Sequence, residues 1–196
     1  MTQYKYIDKK LFANHNKDLQ QYYKLRNHLI EKSLSITSLS KKAIFSLHKS
    51  DMPQVQKQLD QVTSLIKEVK KMFKKSDWLI SEGSLAAGLE EYVEAVLFRE
   101  FLQQKVVGVV ASDIEIDARI YIAGLCDVIG EVYRYSIKMA SQKNIQEIDR
   151  CLEFSAEVIE QLLDYNLTTY LRTKFDQAKQ AHRKMEMISY ELRLRM

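Results

Sequence analysis

Between Asp8 and Ser50 the sequence contains neither Gly nor Pro. Along it Leu25, Leu29, Leu34, Ile36, Leu39, Ala43, Ile44 and Leu47 recur at helical spacings, which predicts one very long helix. Such a helix spans about 60 Å at ~1.5 Å per residue. That is longer than a compact monomer of this size can bury, and it points to assembly. One Pro and five Gly in 196 residues extend the argument to the whole chain, because little else interrupts helix. The expected fold is all-α: an antiparallel bundle of about six to seven helices in a single domain, 1–196, with a loose Tyr-rich start over 1–7.

Ser50-Asp51-Met52-Pro53 ends the first helix; Asp51 suits a cap and Pro53 the first turn of a second helix. That helix reaches about Lys75, with Val55, Leu59, Val62, Leu65, Ile66 and Val69 facing inward. Its end carries Lys67, Lys70, Lys71, Lys74 and Lys75, read either as a solvated C-terminus favoured by the helix dipole or as a phosphate-contacting patch. Ser81-Glu82-Gly83-Ser84 is a turn into a third helix over about 84–107. A link, 108–117, leads to helices over about 117–142, 144–163 and 167–195.

A net charge of +4 and a pI near 8.9 permit a nucleic-acid partner without requiring one. Cys126 and Cys151 show no paired or metal-type spacing. They fit small core residues in a reduced, cytoplasmic setting. There is no signal peptide and no apolar run of about 18 residues, so no membrane span is expected.

The chemistry concentrates in two stretches. In Gly88–Phe98, Leu89, Tyr92, Val93, Val96 and Leu97 form an apolar stripe, and Glu91 and Glu94 stand one turn apart. Tyr121–Val132 is almost wholly apolar, yet carries Asp127 and Glu131 at i, i+4. Carboxylates in buried helices are costly unless paired or bound to a cation. Two helices with two inward acids each are the parts of a divalent-cation site, and Mg²⁺, or Mn²⁺ in its place, suits all-oxygen donors. For both pairs to meet at one ion, the two helices are expected to be antiparallel neighbours. The competing reading is a buried ion-pair network in which Arg99, Arg134 or Lys138 neutralises the acids.

Other chemistries fit less well. A ferritin-type di-iron centre needs Glu-x-x-His, and none of His15, His28, His48 and His182 follows a Glu at that spacing. All-α nucleotide pyrophosphohydrolases also use Glu-x-x-Glu, but their second acidic pair is spaced i, i+3 rather than i, i+4. Cys126 and Ser136 have no histidine partner in sequence and are read as structural. No Gly-rich phosphate loop or zinc spacing is present.

At these residues the sequence resembles the translin family, in particular its translin-associated factor X (TRAX) branch. The most specific match is Gly88-Leu89-Glu90-Glu91-Tyr92-Val93-Glu94-Ala95-Val96 with Phe98. Next come Gly124-x-x-Asp127-x-x-Gly130-Glu131-x-x-Arg134, and Ile36-Thr37 followed by Ser40-Lys41-Lys42-x-Ile44-Phe45-x-Leu47-His48. Lys184-x-Glu186-x-x-x-Tyr190-x-Leu192-x-x-Arg195 closes the series. The resemblance implies an all-α bundle assembling into a hollow octamer that binds RNA or single-stranded DNA. In a TRAX-like subunit it implies a Mg²⁺-dependent endoribonuclease, with Glu91, Glu94 and Asp127 catalytic and all three, with Glu131, holding metal. The link at 108–117 is shorter than in the animal proteins and is similar to that of compact archaeal members, which form octamers of one chain type. A hetero-oligomer with a translin-like subunit is the other assembly implied. The basic aromatic stretch of animal translin is not evident here, so the resemblance carries over no RNA-contacting residues. The alternative function is a nucleic-acid-binding scaffold with a vestigial site, working with a second subunit.

Overall fold

The structure, a computed structural model, describes residues 7–73, 82–108, 114 and 116–194. Residues 1–6, Lys74, Lys75, Ser81, most of 109–115 and Arg195 lie outside the described residues. Among the described residues six helices follow one another: α1 Lys9–His48, α2 Met52–Phe73, α3 Gly83–Leu102, α4 Ala118–Ser141, α5 Ile145–Leu163 and α6 Thr169–Leu194. Among the described residues there is no strand.

Local chemistry sets the helix starts. Asp8 accepts from the N–H groups of Lys10 (2.9 Å) and Leu11 (3.2 Å), and Asp51 from that of Gln54 (3.2 Å). Asp117 caps α4 through Arg119 N–H at 2.8 Å, and Asn144 caps α5 through Glu147 N–H at 3.2 Å. Helix stops are less conventional. Ser50, Gln104 and Lys143 take left-handed φ values of 60°, 55° and 57°. The next N–H in each case reaches back to Ser46, Glu100 and Met139 C=O at 3.0 Å, closing a Schellman turn without glycine. Such a turn ends α3 at Leu102 rather than near residue 107.

The 40-residue α1 forms as its unbroken sequence predicts, but only its C-terminal half packs. Leu29, Ile36, Ala43, Ile44 and Leu47 are buried there, whereas Leu34, assigned to the same apolar face, is 62% exposed. From Lys9 to Gln21 every side chain is exposed, including Leu11, Phe12 and Leu19, and Tyr23 beyond them is exposed as well.

Residue pairings give the helix directions. Lys32 of α1 meets Glu68 of α2 at 2.9 Å, so the hairpin across Lys49–Asp51 is antiparallel. Asp149 with Arg193, and Ser155 with His182, make α5 and α6 antiparallel. The central pair differs from expectation. Gly124 sits against Val93, and Tyr135 meets Phe101 with ring centroids 6.2 Å apart, so α3 and α4 run in the same sense. The i, i+3 and i, i+4 acid spacings suit either direction.

α3 is the centre of the fold. It packs on α1 and on α4, and α4 in turn packs on α5 and α6. Leu85, Leu89, Tyr92, Val93, Ala95, Val96, Leu97, Phe98 and Phe101 of α3 are all buried. Two glycines allow the close approach. A Cβ on Gly88 would lie 3.1 Å from Ser33 C=O of α1, and one on Gly124 would lie 2.8 Å from Val93 and 3.0 Å from Glu90 C=O. Cys126 and Cys151 are buried and unpaired, with thiol pKa values pushed up to about 12 by burial.

Candidate metal centre

Because α3 is buried nearly all round, any polar side chain on it that does not reach its edge is carried into the core. Glu94 is such a residue. It is 9% exposed, and among the described residues its carboxylate has no hydrogen-bond or ion-pair partner. Burial raises its pKa first of all, and the charges of Asp127, Glu91 and Glu131 add to the effect, so that the carboxyl is pushed up to about 9. The four acids expected from sequence are therefore brought to one place, where α1, α3, α4 and α6 meet.

The other three acids each have a basic side chain as partner. Glu91 leans toward α1 and pairs with Lys41 at 3.0 Å. Asp127 pairs with Lys174 of α6 at 2.5 Å. Glu131 meets the His48 ring, at the end of α1, and lies 3.7 Å from Arg134. Phe98 backs the His48 ring with centroids 4.9 Å apart, and Lys138 donates to the His48 backbone C=O at 2.9 Å.

A fifth carboxylate belongs to the cluster. Glu90 accepts from Tyr170 Oη at 2.7 Å and lies 3.8 Å from Lys174 Nζ. Burial raises its pKa, opposed by Tyr170 and Lys174. Burial likewise raises that of Asp127, opposed by the hydrogen bond and charge of Lys174. Burial lowers the pKa of Lys174 itself, but Asp127 and Tyr170 more than offset that, and the net shift is upward.

The ion-pair network foreseen as the rival reading thus exists, but through other residues. Arg99 and Lys138 make no ion pair with these acids, and Arg134 reaches only Glu131. Lys41, His48, Glu90, Tyr170 and Lys174 supply the contacts. Lys41 and His48 lie within a motif quoted above, without a role attached. Tyr170 and Lys174 come from α6, and nothing local in its sequence signals that these two residues reach the acids.

The donor set is entirely carboxylate, which is the chemistry of Mg²⁺ and Mn²⁺ sites. Buried Glu94, repelled by its neighbours and unpaired, is the donor that most needs a cation. Among the described residues, no three His, Cys, Asp or Glu groups converge closely enough to hold an ion.

Comparison with known proteins places this geometry. The sequence model described as the Translin family matches residues 24–196. A translin-associated protein X homolog of Schizosaccharomyces pombe is 30% identical over 159 residues, 73% of this chain and 68% of that protein. An uncharacterised protein of Methanocaldococcus jannaschii is 28% identical over 156 residues, 78% of this chain and 69% of its own length. Among solved structures, apo-NeC3PO superposes with a TM-score of 0.84 at 22% identity, covering 96% of this chain and all of that one. AfC3PO in a complex with duplex RNA superposes with a TM-score of 0.80 at 17% identity, covering 93% of this chain and 96% of its own. With its fold and nearly its whole length matched in this way, the chain belongs to the translin family.

Proposed function

We propose that the chain is a Mg²⁺-dependent endoribonuclease of the translin/TRAX type that cuts short RNA inside an oligomeric shell. The carrying observation is Glu94, a buried and unpaired carboxylate facing Asp127, Glu91 and Glu131. Family membership supports an RNA-associated role, as does the likeness to AfC3PO, a protein seen with duplex RNA. Glu91, Glu94, Asp127 and Glu131 would hold the cation, with Mn²⁺ able to replace Mg²⁺. When bound, the ion supplies a more acidic water and neutralises charge building on a phosphodiester. The chain's own groups do the rest. Glu94 holds a proton at its carboxyl oxygen at neutral pH when no cation is near. Lys41, 62% exposed at its side chain and beside Glu91, is placed to meet a phosphate at the mouth of the cluster.

The exposed N-terminal half of α1, with Leu11, Phe12, Leu19 and Tyr23 uncovered, supports assembly. We take the state to be an octamer of one chain type, with a hetero-oligomer including a translin-like subunit as the alternative. No described helix is long and apolar enough to cross a membrane, and a cytoplasmic location fits the free, buried thiols.

One observation favours a second reading, a scaffold that binds RNA or single-stranded DNA without cutting it: three of the four acids already have basic side-chain partners. Incubation with labelled oligoribonucleotide, oligodeoxynucleotide and nucleoside triphosphates, with Mg²⁺ or with chelator, separates the readings. RNA cleavage only with Mg²⁺ supports the nuclease. Binding with intact RNA under both conditions supports the scaffold. Light scattering should give about eight times the 23.0 kDa chain mass; a monomer at micromolar concentration contradicts the shell.

A further inference from the structure

We propose that Lys174 is a built-in counter-cation that holds Asp127 until a divalent ion displaces it toward Glu90, so that metal uptake is an exchange of one cation for another. The proposal rests on the reading of the acid cluster as a metal centre. It follows from three placements. The Lys174 ammonium lies 2.5 Å from Asp127 Oδ2, so it occupies an oxygen that a metal would need. It is also 3.8 Å from Glu90 Oε2, so a second carboxylate already stands within a short swing of the flexible lysine stem. Glu90 is kept in place by the Tyr170 hydroxyl at 2.7 Å, and the Tyr170 ring lies 5.4 Å from the same ammonium. The three side chains are only 14–24% exposed, so water screens their charges weakly.

Exchange also resolves a conflict within the cluster. Five carboxylates, Glu90, Glu91, Glu94, Asp127 and Glu131, converge there, and Glu94 has no partner of its own. Among the described residues no three of the acids close on a common point, and Lys174 holds one of them, Asp127. Moving that one ammonium to Glu90 frees Asp127, the acid contributing the largest like-charge effect on Glu94, without leaving Lys174 unpaired.

The test measures Mn²⁺ binding by calorimetry, with Mn²⁺-induced thermal shifts, on the chelator-treated full chain. Lys174→Met keeps the apolar stem and removes the charge. It should bind Mn²⁺ about tenfold more tightly than wild type, because one competing charge is gone. Its metal-free melting temperature should fall while the Mn²⁺-induced rise grows. Lys174→Arg, which grips a carboxylate with two donors, should weaken Mn²⁺ binding. Should Lys174→Met fail to fold, Lys174→Gln, which retains a donor without the charge, and Lys174→Arg still decide the question. Mn²⁺ bound equally or less tightly by the uncharged variants overturns the exchange; if Glu94→Gln has meanwhile lost Mn²⁺ binding, the metal centre itself survives. Mn²⁺ binding unaffected by Glu94→Gln, or absent from every variant, overturns both.

Discussion

Gly124 and Val93 mark a close approach of the two acid-bearing helices: a Cβ at residue 124 would lie 2.8 Å from the Val93 Cβ and 3.0 Å from Glu90 C=O. Backbone cannot yield as a flexible side chain can, so Gly124→Ala must push α4 off α3 beside Asp127 and Glu90. A loss of about 1–3 kcal/mol in urea unfolding is expected. Gly130, also in α4, has open space where a Cβ would go. Gly130→Ala should therefore stabilise the isolated chain by roughly 0.5–1 kcal/mol through helix propensity alone. Equal effects at the two positions would refute the close-approach argument.

Glu94 gives a pH dependence of definite sign. Its carboxyl titrates at about 9 in the folded chain against 4.5 when unperturbed. Between those values the folded state keeps a proton that the unfolded state has lost. Its contribution to stability is thus complete below about pH 4.5 and declines as pH rises toward 9. Glu94→Gln, neutral at every pH, should match wild type near pH 4 in metal-free buffer and exceed it by roughly 1–3 kcal/mol at pH 8. Thermal unfolding across that range checks it; a gap that does not grow with pH contradicts the burial of an unpaired carboxyl.

Glu147 should behave in the opposite way. Arg150 donates to it at 2.6 Å and Tyr135 at 3.0 Å, and these bonds hold its carboxyl below the usual range. Arg150 also covers the Phe101 ring and donates to Phe101 C=O, which ties α5 to the end of α3. The stabilisation from Glu147 is present above pH 4.5 and lost as pH falls through the lowered folded value. Glu147→Gln should cost about 1 kcal/mol at pH 7. That difference should shrink in acid, as measured by urea unfolding at pH 7 and pH 3.

How much of this could be read from sequence depended on whether the signal was local. The long α1 was legible because nothing in it breaks helix, and Glu94 was legible because a carboxylate stands within an otherwise apolar stripe. The end of α3 was not, because Gln104 adopts the left-handed conformation usually supplied by glycine. The exposure of Leu34 was hidden for a related reason: periodicity marks an apolar face but not how much of it a partner covers. The shared direction of α3 and α4 was undetermined because acid pairs spaced by one turn face each other in either sense. Lys174 was invisible, since its partner Asp127 lies 47 positions away and only the packing of α6 on α4 joins them.

The central claim is that Glu94 serves a metal-dependent reaction rather than the fold. It is tested most directly by cleavage of a short labelled RNA by wild type and Glu94→Gln, with Mg²⁺ and with chelator, alongside RNA binding and particle size. The account predicts Mg²⁺-dependent cleavage by wild type, a loss of about 10²-fold or more in the variant, and unchanged RNA affinity and assembly. Cleavage by Glu94→Gln at the wild-type rate, or wild-type cleavage that persists in chelator, would contradict it.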